Sequence, residues 1–191
     1  YKRGKLTTRI AFNHDRTDGH RDTSAFEITN LSLKMGYAIN RHWNLEANYM
    51  LADYSFEDPG SELDPMSMAF MGDITRNMAT LALKNNYDRL DGGINAFYNW
   101  GAHTFSDGWQ STDVNAGINL YQGMKPWKGA LVTAGFDAKY YGGSGNMGFM
   151  ADTFLTVNET AGYVLFDQSF HDLVKLKAVV RYEQRSTYGA T

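Results

Sequence analysis

Three features of this sequence predict an all-β fold, an antiparallel up-and-down array of strands. Apolar and polar residues alternate almost throughout, the connections run alternately long and short, and aromatic residues gather near both ends of the alternating segments. A strand sends successive side chains to opposite faces, so alternation marks a strand with two different environments.

The elements follow in order. Lys5–Asn13 opens the series. In Asn30–Ile39, the residues Leu31, Leu33, Met35, Tyr37 and Ile39 share one face, and Asn30, Ser32, Lys34 and Gly36 the other. In Trp43–Leu51, the residues Trp43, Leu45, Ala47, Tyr49 and Leu51 oppose Asn44, Glu46, Asn48 and Met50. Met78–Tyr87, Gly92–Trp100, Val114–Gln122 and Leu131–Tyr140 repeat the pattern, and Glu159–Gln168 does so less cleanly. In Val174–Glu183, the residues Val174, Leu176, Ala178, Val180 and Tyr182 oppose Lys175, Lys177, Arg181 and Glu183, with Val179 out of pattern. Nine strands are expected. Helical periodicity is weak, and the many Gly and Asn positions disfavour long helices.

The expected connections are Asn13–Ala25, Asn40–His42, Phe56–Arg76, Asp88–Asp91, Gly101–Thr112, Gly123–Gly129, Tyr141–Asn158 and Phe170–Leu173. In an up-and-down sheet, odd and even connections lie at opposite ends. One end therefore carries long loops and the other tight turns, as in outer-membrane barrels. Tyr37, Trp43, Tyr87, Trp127 and Phe170 fall near the tight turns; Phe12, Tyr54, Trp100, Tyr140 and Tyr182 fall near the long loops. Trp43 to Tyr54 is eleven steps. At ~3.3 Å per step and ~45° tilt that spans roughly 25 Å, the height of a barrel's apolar band. Paired aromatic rows belong at lipid–water interfaces. The polar face is rich in Asn, Thr, Gly and Gln with scattered charges of both signs, which suits a lumen better than a soluble surface dense in Lys and Glu. The expected fold is an antiparallel up-and-down transmembrane β-barrel segment in a bacterial outer membrane, in contact with lipid and lipopolysaccharide. It forms one unit over residues 1–191.

Composition agrees. No apolar run reaches the ~18 residues of a membrane helix. Mean hydropathy is -0.44, compatible with a barrel because lipid-facing and lumen-facing residues average out. The net charge of -3 gives no overall basic field for nucleic acid. Without cysteine there are no disulfides and no thiolate ligands. The N-terminal YKRGKLTTRI is not a signal peptide, so the stretch is expected to be a processed or internal piece.

Four stretches resemble the barrel of TonB-dependent outer-membrane receptors, especially those of Bacteroides-type bacteria. They are DGHRDTSAFEITNLSLKMGYAINRHWNLEANY (Asp18–Tyr49), DPGSELDP (Asp58–Pro65), YQGMKPWKGALVTAGFDAKYYGG (Tyr121–Gly143) and ETAGYVLFDQSFHDLVKLKAVVRYEQRSTYG (Glu159–Gly189). The usual glycine of the last motif is Val179 here. The resemblance implies a 22-stranded barrel filled by an N-terminal plug, coupled through that plug to the TonB complex. It also implies import of a siderophore, haem, cobalamin or glycan. Nine strands make only part of such a barrel, and the stretch lacks plug and TonB-box sequence, so an internal fragment is expected. A small passive porin and a lipocalin-like soluble binding barrel are the competing readings.

No catalytic motif occurs: G-x-S-x-G, H-E-x-x-H and the phosphate loop are all absent, GGSGNMG (Gly142–Gly148) lacking the required Lys. No cofactor and no metal site are assigned. His14 and His20 share the first long loop and are the candidate ligand contacts among the histidines; His42 and His171 fall in tight turns. Glu57, Asp58, Glu62, Asp64 and Asp73 read as a solvated acidic loop without EF-hand spacing. Phe105, Trp109 and Tyr141 are the loop aromatics placed to stack on a flat or sugar ligand. Arg9, Lys34, Glu46, Lys84, Asp137, Lys139, Lys175, Lys177, Arg181 and Glu183 share the polar face and are expected to point to the lumen, bridging the wall or docking a plug. Toward lipid, a mid-depth Lys or Arg would cost about 2–4 kcal/mol.

Overall fold

The structure is a computed structural model. It describes residues 1–63, 68–146, 153–170, 173–186 and 189–190. Eleven strands form one sheet: β1 (Lys2–Arg3), β2 (Leu6–Thr17), β3 (Phe26–Ala38), β4 (Trp43–Asp58), β5 (Phe70–Asn86), β6 (Leu90–Phe105), β7 (Gln110–Met124), β8 (Ala130–Asn146), β9 (Thr153–Phe170), β10 (Val174–Arg185) and β11 (Gly189–Ala190). Each of β1 to β10 pairs antiparallel with the next in chain order, and β11 pairs with β9. The nine expected strands are β2 to β10. β11 extends the β10 side of the ladder with a one-residue offset: Arg185 faces Glu159, whereas Gly189 faces Thr156. The sheet is open, so β2 and β10 are not joined to each other among the described residues.

Residues directly opposite in an antiparallel ladder share a face. The register therefore carries one identity across the whole sheet. Met35, Ala47, Leu81, Ala96, Ile118 and Ala138 form one continuous row on the apolar face. One residue away, Lys34, Asn48, Thr80, Phe97, Gly117 and Lys139 form a row on the polar face. On the apolar face, Leu90 to Trp100 of β6 and Ala130 to Tyr140 of β8 each span ten steps without a charge. At ~3.3 Å per step and ~45° tilt this is about 23 Å.

Two expectations are corrected. Tyr54 faces Ile28 and Ile74, which puts it on the polar face, opposite to Trp43. Eleven steps is an odd number and necessarily changes face, so on β4 the apolar band ends at Leu51, before Asp53. The connection expected at Gly101–Thr112 is in fact only 106–109, because β6 runs to Phe105 and β7 starts at Gln110. Beyond the apolar band polar residues enter the apolar face and aromatic rings enter the other, so alternation fades while backbone pairing continues. For the same reason His14 lies in β2 and Tyr141 in β8 rather than in loops.

The sheet has almost no interior. Among the described residues the buried apolar side chains are Ala130, Val157 and Ala161. The accessible surface is 13290 Å², against ~9,200 Å² for a compact soluble protein of this mass. Large apolar side chains stand open on one face, Ile10, Leu81, Ile94, Phe136 and Val180 among them. Such a surface needs a covering other than water.

The polar face stays low because rings lie across glycines. A methyl group at Gly117 would sit 2.7 Å from the Phe97 ring, and one at Gly72 would meet Phe56 at 2.6 Å and Phe105 at 2.8 Å. The Tyr163 ring covers Gly135 in the same way. In each case ring and glycine are directly opposite in register. A ring on the neighbouring strand compensates for the side chain a strand glycine lacks.

Candidate functional site

Strands lie about 4.8 Å apart, so side chains two strands apart meet only where the intervening residue is small. The polar face uses this device. Arg76 on β5 reaches across Gly101 to Asp113 on β7. Arg181 on β10 reaches Asp137 on β8 at 2.6 Å, past Ala161, and also holds Glu183 at 3.0 Å. Lys84 pairs with Glu46 at 3.0 Å, Lys139 with Glu159 at 3.3 Å, and Lys177 with Asp167 at 3.4 Å. Asn119 bonds to Asp137, and Asn48 donates to Thr80 at 2.8 Å. The result is a polar brace running from Arg76, toward the long connections, to Lys177, near the tight turns. It draws in seven of the ten charges assigned to this face from the sequence: Glu46, Lys84, Asp137, Lys139, Lys177, Arg181 and Glu183. Arg9, Lys34 and Lys175 lie on the same face with no ion pair among the described residues. Arg9 and Lys34 are directly opposite each other.

Toward the long-connection end, the same face gathers aromatic rings. Phe26, Phe56, Gly72 and Phe105 form one row. Phe105 stacks on Phe70 at 5.3 Å, Phe70 meets Phe56 at 6.2 Å, and Phe26 meets Tyr54 at 6.2 Å. Below them, His103 Nδ1 lies 3.0 Å from Ser111 Oγ, and its Nε2 lies 3.3 Å from Arg76 and 3.9 Å from Asp113. Rings beside hydrogen-bonding groups suit a ligand with a flat or sugar surface. A cavity of about 280 Å³ at the same end is lined by Arg16, Glu27, Ser55, Glu57, Met71 and Asp73, which the register places on the face opposite the ring row. Arg21 ties the two long connections together, bonding Gly60 O at 2.7 Å and Glu62 at 3.1 Å.

Of the residues proposed from sequence, Phe105 joins this cluster directly. Trp109 sits in the 106–109 turn with its indole over Gly145, and Tyr141 stands on the polar face between Asn115 and Val157. These three are not in one cluster, and two of them are strand residues. His14 lies on β2, on the apolar face beyond the apolar band, with Nδ1 3.0 Å from Thr29 Oγ1 and Nε2 3.9 Å from Glu27. His20 is exposed in the 18–25 connection, and no contact joins it to His14 among the described residues. The acidic connection structures itself: Glu57 accepts the Ala25 N–H at 3.2 Å, Asp58 the Gly60 N–H at 2.9 Å, and Glu62 holds Arg21. Among the described residues no three His, Asp or Glu side chains converge on a metal position. Asp64 and His171 lie outside the described residues, as does the end of the Gly142–Gly148 stretch. Phe26, Phe56 and Phe70 were not singled out from sequence, and Tyr54 was expected in the interfacial aromatic row rather than among the ligand contacts. Their signal was parity: each is even-numbered on strands whose even positions carry Lys34, Glu46 and Lys84.

No known protein family's sequence model matches this chain, and no curated protein matches it in sequence. Among the solved structures that share its fold are two outer-membrane proteins. The ferric citrate transporter FecA in its unliganded form aligns over 97% of this chain at 15% identity with a TM-score of 0.66. The alcaligin outer-membrane receptor FauA from Bordetella pertussis aligns over 97% at 9% identity with a TM-score of 0.67. The chain spans about a third of each, 35% and 34%.

Proposed function

We propose that this chain is part of the barrel wall of a TonB-dependent outer-membrane receptor. Its apolar face meets lipid, its polar face lines the lumen, and the aromatic row near the long connections contacts the ligand. One observation carries the reading. A sheet with no packed interior presents a charge-free apolar band about 23 Å tall on one face and a braced set of charges on the other. A soluble binding barrel would bury one of those faces. The likeness of fold to two outer-membrane transport proteins points the same way. Placement among Bacteroides-type receptors rests on the four sequence stretches alone.

The ligand class is a siderophore, haem, cobalamin or glycan, and ferric complexes are the first to test because both matched structures are of proteins named for such transport or for a siderophore. The TonB complex acts through a plug supplied by the rest of the parent protein. The experiment is uptake of radiolabelled ferric siderophores, haem, cobalamin and glycans by cells producing the whole parent protein, with and without TonB. Uptake that requires TonB and falls with Phe105→Ala supports the reading. Leakage of small solutes that is indifferent to both establishes a passive pore instead.

A further inference from the structure

At the tight-turn end of the polar face lies a cavity of about 590 Å³. Its walls carry Arg89, Lys125, Lys128, Lys175 and Lys177, with Asp167 as the lining carboxylate. Lys177 pairs with Asp167 at 3.4 Å. The other four cations make no ion pair among the described residues. Asp88 and Asp91 flank Arg89 in the sequence but do not line the cavity.

The backbone that carries these charges is held firmly. Lys125 N–H donates to Arg89 O at 2.9 Å, joining two neighbouring turns. The Trp127 indole N–H donates to Gln168 Oε1 at 2.8 Å, and Gln168 Nε2 donates to Ser169 O at 2.9 Å. Gln168 is only 8% exposed, so the acceptor of this pin is buried although the Trp127 ring stands in the open. Gly129 closes the turn in the left-handed region at φ 81°, its carbonyl accepting from Ser169 N–H at 2.8 Å. Four like charges fixed around one space repel each other, and an anion placed among them removes that repulsion.

We propose that this cavity binds an acidic peptide segment arriving from the tight-turn side. The cations come from two turns and one strand, so they match a chain of several carboxylates better than a single small anion. Pro126, Trp127 and Leu131 add apolar contact for a peptide's side chains. Leu131, Asp167, Ser169, Lys175 and Lys177 all stand on the polar face. The proposal rests on the reading of that face as an aqueous lumen, which disfavours a lipid headgroup there.

The test uses the whole parent protein in detergent micelles and fluorescein-labelled hexaglutamate, followed by anisotropy. Saturable binding is expected that weakens with salt and falls about tenfold or more in Lys125→Gln/Lys128→Gln. Hexaglutamine should not bind, and Lys2→Gln/Arg3→Gln, at the same end but outside the cavity, should bind as the unmodified protein does. Lys175→Gln serves if the double variant loses its heat-shifted gel mobility. Absent binding, or binding indifferent to these lysines, overturns the site. So does phosphatidylglycerol binding that depends on Lys125 and Lys128 when hexaglutamate binding does not. This stretch has no cysteine, so, with any cysteine elsewhere in the parent replaced by serine, Lys177→Cys labelling by an impermeant maleimide in vesicles reads the lumen assignment separately. A protein that labels there but ignores the peptide loses only the site; one that does not label loses the lumen assignment too.

Discussion

Leu81 and Ala82 are neighbours in β5 whose side chains stand on opposite faces, and replacing each by arginine isolates the environment of those faces. Leu81 is 51% exposed at mid-height of the apolar band, between Ala47 and Ala96. Ala82 lies between Glu46 and Asn95 on the polar face. An arginine facing the bilayer midplane costs about 2–4 kcal/mol. At ~1.4 kcal/mol per tenfold, Leu81→Arg should lower the folding equilibrium constant roughly 30- to 700-fold. Ala82→Arg places its charge in water beside Glu46 and should stay within about 1 kcal/mol of the parent. Ala96→Phe adds a third arm. Lipid accommodates the larger ring, whereas a close-packed interior would lose about 1–3 kcal/mol to overpacking. The assay is urea unfolding of the whole parent protein in phospholipid vesicles, followed by tryptophan fluorescence. Equal effects of the two arginines, or a larger effect at Ala82, would refute the assignment of faces. A strongly destabilising Ala96→Phe would refute lipid contact and favour a buried core.

Three further outcomes are expected in the same urea assay. Gly129→Ala should lose about 1–2 kcal/mol because its φ of 81° is left-handed; no change would mean the turn adopts another conformation. Lys34→Glu should gain about 0.2–1 kcal/mol by replacing a like-charged pair with Arg9 by an opposite one; a loss would mean that an anion already sits between the two cations. Gly135→Ala should destabilise the protein containing Tyr163 but be nearly neutral after Tyr163→Ala, since the obstruction is the Tyr163 ring; simple additivity would contradict that.

The strand order and faces were legible because one face is apolar wherever the band runs. Met35, Ala47, Leu81, Ala96 and Ile118 announce their side by composition alone. The signal stops where the band stops. Ser111, Asp113 and His103 look like loop residues because polar side chains occupy both faces there, yet they are strand residues in a single network with Arg76. Tyr54 was misplaced by measuring height without checking parity. The bridges that skip a strand were invisible for a different reason. Arg76 and Asp113 are 37 residues apart in sequence, and their meeting depends on the absence of a side chain at Gly101.

Phe97, Tyr163, Phe56 and Phe105 lie against the wall because glycines leave room for them. Their bulk therefore thickens the sheet instead of roughening its polar surface. Helices that interdigitate knob into hole must disengage many contacts before either can slide. A body resting on flattened rings has no such teeth to clear. Where this face lines a lumen, as proposed, such a body would be held by breadth of contact and by the charges around it.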